Sequence, residues 1–153
     1  MNNLFLLLIP LIAAVILGLD IWSFPLISPD EPRYAETARE MLERADFITP
    51  YCDYLPRFDK PILFYWFEAL SLKLFGLNEL AARLPSVVAG AGMVWLAFLL
   101  GSIQGFGLVA AGMMLTTLQI FLFSKLAITD MTLAFFISAA VCFFYLVYRE
   151  RQE

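Results

Sequence analysis

The sequence predicts an all-α integral membrane protein with four transmembrane helices and two interfacial helices in the loop after the first span. Three observations predict it. Of 153 residues, 61% are hydrophobic and 16% charged, against roughly 45–50% and 25% in soluble domains, and the mean hydropathy is +0.79. Four apolar runs each approach the length that crosses a hydrocarbon core of about 30 Å. Most of the charge lies in one stretch, Ser28 to Lys60.

The first span is read at 4–22. No Lys or Arg precedes it and no small-residue cleavage site closes it, so it reads as a retained span and not a signal peptide. Asp20 falls near its end, within reach of the interface. Ser28-Pro29-Asp30-Glu31 has the form of a capping box, with Ser28 as N-cap, Pro29 at the first helical position and Glu31 at the third. The spacing predicts a helix over 29–45. Tyr34, Ala38, Met41, Leu42 and Ala45 form its apolar face, and Arg33, Glu36, Arg39, Glu40, Glu43 and Arg44 its polar face. Glu36–Arg39 and Glu40–Arg44 are attractive neighbours there. So polar a helix lies in the interface plane.

Residues 46–59 have little helical period and read as an ordered loop. Pro61 opens a second interfacial helix over 61–75, which ends near Gly76. Three further spans are read at 82–100, with Pro85 near its start, 106–123 and 131–148. Ala89, Gly90, Ala91 and Gly92 let helices approach closely. A tight turn, 101–105, and a short polar link, 124–130, join these spans. The whole chain, 1–153, forms one unit without an internal repeat.

Cys52 and Cys142 lie too far apart in this scheme for a disulfide or metal pattern. Histidine is absent, so acid–base work at neutral pH falls to carboxylates, Lys, Tyr or Cys. A net charge of −4 gives no indication of nucleic-acid binding.

An even number of crossings separates the first loop from the link before the fourth span. Asp130 therefore faces the same compartment as Asp30, Glu31, Arg33 and Lys60. Taken singly, each has a plain explanation: carboxylates favour a helix start, Lys60 can snorkel, and Asp130 can cap the fourth span. Taken together, Arg33 and Lys60 offer a planar fork and a point charge suited to a phosphate. A carboxylate such as Asp30 or Asp130 can serve as base for an incoming hydroxyl. Cations that hold a departing phosphate stabilise its developing charge.

Asp30-Glu-Pro-Arg-Tyr-Ala-Glu36, Phe58-Asp-Lys-Pro61 and Tyr65-Trp66 resemble the start of the polyprenyl-phosphate-dependent membrane glycosyltransferases. These have the GT-C fold and include the protein O-mannosyltransferases and the lipid A aminoarabinose transferase. Ala82-Arg-Leu-Pro-Ser86 and Leu126-Ala-Ile-Thr-Asp-Met131 extend the likeness over nearly the whole chain. The resemblance implies inverting transfer from a polyprenyl-phosphate sugar donor to a hydroxyl acceptor, lipid or protein. Asp30 is then the expected base and Asp130 its assistant. Arg33 and Lys60 hold the lipid phosphate, with Glu31 and Tyr34 of the same motif in the substrate-binding set. Asp59 stands where the family often has Glu, and beside Lys60 it allows a divalent metal. No other cofactor is implied. Members of that family are several times longer, so an N-terminal portion is expected.

The resemblance also places the charged loop outside the cytoplasm, in a multi-pass protein of the bacterial inner or plasma membrane. Charge counting opposes this, because eight of the ten basic residues then lie outside. The rule loses force for loops approaching roughly 60 residues, and Arg33, Arg39 and Arg44 share a helix with Glu36, Glu40 and Glu43. The competing reading is a small four-span transporter using Asp20, or an accessory subunit. A transporter carries its key charges near mid-span, whereas here they crowd into one loop.

Overall fold

Asn78 opens the helix around which the others pack. Its side chain accepts a hydrogen bond from the Ala81 N–H at 2.9 Å, capping Glu79–Ile103. A computed structural model describes residues 3–152, with side chains from Leu4 on; the ends of the 1–153 unit lie outside the described residues. In chain order the helices are α1 (Asn3–Gly18), α2 (Asp30–Arg44), α3 (Ile62–Phe75), α4 (Glu79–Ile103), α5 (Gly107–Thr116), α6 (Leu118–Phe123) and α7 (Thr129–Glu150). A ribbon of β1 (Tyr51–Cys52) and β2 (Leu55–Pro56) joins α2 to α3.

α4 packs against α1, α3, α5 and α7. The small residues predicted in its middle are where that happens. A Cβ on Gly90 would overlap Ser124 and lie 3.1 Å from Leu17, and one on Gly92 would overlap the Phe135 ring. Ile9, Ala13 and Leu17 form the inward stripe of α1, while Leu4, Leu7, Leu11 and Val15 are exposed. α7 exposes large apolar side chains for most of its length, from Leu133 to Tyr148. Apolar surface on this scale suits a bilayer.

α4 and α7 are long and apolar enough to cross a membrane, while α1 and α5 are shorter. Three of the predicted elements differ in detail. The first apolar helix ends at Gly18, short of the predicted 22, because the chain turns through Asp20, whose φ is 65° and whose carbonyl accepts from the Ser23 N–H and hydroxyl. Pro85 lies inside α4, not at its start. The third apolar run is broken into α5 and α6 at Thr117, which is extended. There the hydroxyls of Thr116 and Thr117 bond back to the carbonyls of Gly112 and Met113 at 2.9 Å, competing with the helical ladder.

The capping box does not form. The N-cap of α2 is Pro29, without a side-chain cap, and Glu31 turns inward. Glu40, expected on the polar face, is buried as well. It accepts the Tyr54 N–H at 2.9 Å and holds the turn between β1 and β2, where Asp53 and Tyr54 both have positive φ. Two positive φ values are the requirement of a tight hairpin turn, and the loop read over 46–59 therefore contains a ribbon. The polar face of α2 carries the expected Glu36–Arg39 pair at 2.7 Å, Arg44–Glu40 at 3.4 Å and an Arg39–Glu43 pair at 2.9 Å.

Candidate active site

One buried ion pair ties the start of α2, which carries Asp30 and Arg33, to the link that leads to Asp130. Glu31, in the first turn of α2, and Arg83, in the second turn of α4, are almost wholly buried and meet through two hydrogen bonds of 2.9 and 2.8 Å. Glu31 also accepts the backbone N–H of Ile27 at 2.7 Å and of Ala127 at 2.6 Å. Arg83 donates further to the carbonyls of Ile21, Phe24 and Pro25 at 2.7, 2.8 and 2.9 Å. Its guanidinium lies 3.9 Å from the centre of the Phe24 ring. A guanidinium has five N–H donors and a carboxylate about four acceptor sites; both sets are filled. Burial works against charge on Glu31, but Arg83 and the two backbone donors outweigh it and hold its pKa below the usual range.

The consequence is positional. Asp30 is the neighbour of Glu31, and Asp130 follows Ala127 by three residues. The Glu31–Ala127 bond puts the first loop and the link before α7 against each other, as the crossing count requires. Lys125 of the same link donates to the Leu19 carbonyl at 2.8 Å. Asp30, Arg33, Lys60 and Asp130 are all exposed. Asp130 is in the first turn of α7 but is not its cap, which is Ile128.

Tyr34 is buried, not displayed. Its ring meets Phe64 edge-on at 5.5 Å and Tyr65 at 5.8 Å. Arg57 lies 5.2 Å from the Tyr34 ring centre and pairs with Asp59 at 2.7 Å. The Arg57 N–H also donates to Pro50 at 2.8 Å. Arg57 thus fastens the loop that ends in Lys60 onto α2. That hydrogen-bonded pairing keeps the Asp59 carboxyl below its usual range. Among the described residues no three His, Cys, Asp or Glu side chains come together as metal ligands. A single carboxylate already held by Arg57 does not fit a metal site.

Glu31 and Tyr34, expected to touch substrate, therefore face the core. Arg83 and Arg57 are what the sequence reading missed. Arg83 left two signals: its place in the Ala82-Arg-Leu-Pro-Ser86 motif, and an arginine between small and apolar residues ahead of a long apolar run.

The fold and this surface define a helical membrane protein with its charged residues gathered on a loop and a link fastened to each other. The chain belongs to the dolichyl-phosphate-mannose-protein mannosyltransferase family, whose model matches residues 3–153. It is 36% identical over 146 residues to the undecaprenyl phosphate-alpha-4-amino-4-deoxy-L-arabinose arabinosyl transferase of Yersinia enterocolitica, covering 93% of this chain and 26% of that protein. The enzyme of the same description from Yersinia pestis strain Pestoides F is 36% identical over 122 residues, covering 77% of this chain and 22% of its own length. The crystal structure of ArnT from Cupriavidus metallidurans bound to undecaprenyl phosphate superposes with a TM-score of 0.76 at 28% identity, over 94% of this chain and 27% of that one. Its apo state gives 0.78 at 29%, over 92% and 27%. The chain spans about a quarter of the length of these relatives.

Proposed function

We propose that this chain is part of a glycosyltransferase that moves a sugar from a polyprenyl-phosphate donor to a hydroxyl group of a lipid or protein acceptor. One observation carries the reading. In a chain of this family, the Asp30–Arg33 segment is held against the link before Asp130 by a saturated buried ion pair. Asp30 is the base that takes the acceptor proton as the hydroxyl oxygen bonds to the sugar carbon. The bond from that carbon to the phosphate oxygen breaks on the opposite face, so the configuration inverts. Arg33 and Lys60 take up the charge of the departing polyprenyl phosphate. Asp130 places the acceptor hydroxyl or assists the base. Glu31 and Tyr34 serve by holding Asp30 and Arg33 in place.

Four spans, formed by α1, α4, the broken pair α5–α6 and α7, set this surface on the extracytoplasmic side of the inner or plasma membrane. α2 and α3 lie in the interface. The exposed apolar faces of α1 and α7 support that arrangement.

Two tests follow. Arg33→Ala and Lys60→Ala each weaken polyprenyl-phosphate binding by about tenfold to a hundredfold, the usual cost of one charge-assisted contact. Titration of a fluorescent prenyl phosphate against the detergent-solubilised chain measures this, and unchanged binding in both variants removes them from the phosphate site. For orientation, a fluorescent protein that matures only in the cytoplasm glows when fused to the C-terminus. A periplasmic phosphatase is active when inserted near Asp53. The reverse pair of results places the site in the cytoplasm and ends the extracytoplasmic reading.

A further inference from the structure

Where α2, α3 and α4 meet, the structure buries two carboxyls and one guanidinium. Arg83 is spent, with all five donors used, and it balances the single charge of Glu31. The second carboxyl is Glu68, in the middle of α3. It is fully buried, and neither of its oxygens has a hydrogen-bond partner. The charged group that acts on it is Glu31, a like charge. The other buried titratable side chains around this junction are Tyr34 of α2 and Tyr65 of α3; Glu40 is paired with Arg44. What α7 contributes is hydroxyls. Thr129 and Thr132 are buried without partners, as is Ser71, one turn after Glu68. Ser71 and Thr132 line one apolar groove of about 240 Å³ between α3, α4 and α7.

An ionised carboxylate deprived of both water and a cation is too costly to keep, and such a group neutralises instead. We propose that Glu68 is a carboxylic acid at neutral pH and acts as a positioning residue, its neutrality leaving Arg83 wholly to Glu31 and so keeping the Asp30 and Asp130 segments in register. Burial first, and the charge of Glu31 second, push its pKa well above the usual carboxylate range. Ionisation puts a second negative charge beside Glu31 and loosens the contact between loop and link. The sign follows from linkage. A carboxyl whose pKa is raised in the folded state contributes stability that is complete below the ordinary carboxylate range and is lost as pH rises through the raised value.

That Asp30 and Asp130 are the site rests on the proposed function, but the test reads only structure. Infrared spectra of this chain in lipid bilayers at neutral pH show one buried protonated-carboxyl C=O band, which is absent from Glu68→Gln. Spin labels at Asp30→Cys and Asp130→Cys, with Cys52 and Cys142 replaced, give one narrow distance at neutral pH. That distance broadens in alkaline buffer with Glu68 present and stays narrow in Glu68→Gln. If Glu68→Gln fails to fold, the pH titration of the wild-type band decides: disappearance only at alkaline pH supports the proposal. A spectrum with no such band at neutral pH overturns it, as does alkaline broadening that is equal in both proteins. Neither readout uses a substrate, so failure of the transferase reading leaves both unchanged.

Discussion

Asp30→Asn lowers sugar transfer by about a hundredfold to ten-thousandfold, the range a positioned general base contributes, while polyprenyl-phosphate binding changes little. The assay belongs in a chain of its relatives' length, since this one spans about a quarter of them. The substitution is close to isosteric, and Asp30 is exposed at the start of α2, outside the Glu31–Arg83 network. A folding defect is therefore not expected. The asparagine side chain cannot take the acceptor proton, so the loss falls on the chemical step. Near-normal turnover in this variant would remove Asp30 from the role and leave Asp130 as the other candidate base.

Arg83→Met destabilises the fold by about 3–5 kcal/mol, the cost of leaving one member of a buried pair uncompensated. It strands the Glu31 carboxylate and three carbonyls, those of Ile21, Phe24 and Pro25. Denaturant titration in mixed micelles measures the loss. Glu31→Gln with Arg83→Met recovers part of it, because the stranded charge is gone while the carbonyls remain without donors. A loss near that of an exposed pair, about 0–1 kcal/mol, would show that the network is not what joins loop to link. Its pH dependence has a definite sign. The pKa of Glu31 is depressed in the fold, so its contribution is present above the ordinary carboxylate range and is lost as pH falls through the depressed value. Glu68 acts in the opposite sense, so stability falls on the acid side through Glu31 and falls as pH rises from the ordinary carboxylate range through the raised value of Glu68.

The two helices of the first loop were legible to within a residue or so, predicted at 29–45 and 61–75 and found at Asp30–Arg44 and Ile62–Phe75. Their apolar periodicity and their bounding prolines and glycine are local signals. The break at Thr117 was not legible. Hydropathy averages over a window, whereas two adjacent hydroxyls act on individual carbonyls four residues back. The ribbon was hidden for a related reason: Tyr54 adopts positive φ because Glu40, 14 residues away, captures its N–H.

Composition and periodicity by themselves determined that this is a helical membrane protein with charge gathered in one loop, and the motifs within that loop identified the family. Those properties follow from residue types and short spacings. What only the tertiary structure decided is which charges are available. Glu31 looks as exposed as Asp30 beside it, yet a helix rotates successive residues by about a quarter turn or more, and one faces solvent while the other meets an arginine 52 positions later. Arg83 and Glu68 look like interruptions in apolar segments until the packing of α2, α3 and α4 sets Arg83 against Glu31 and buries Glu68 within reach of its charge. A carboxyl's charge depends on what surrounds it, and for these residues the surroundings come from distant parts of the chain.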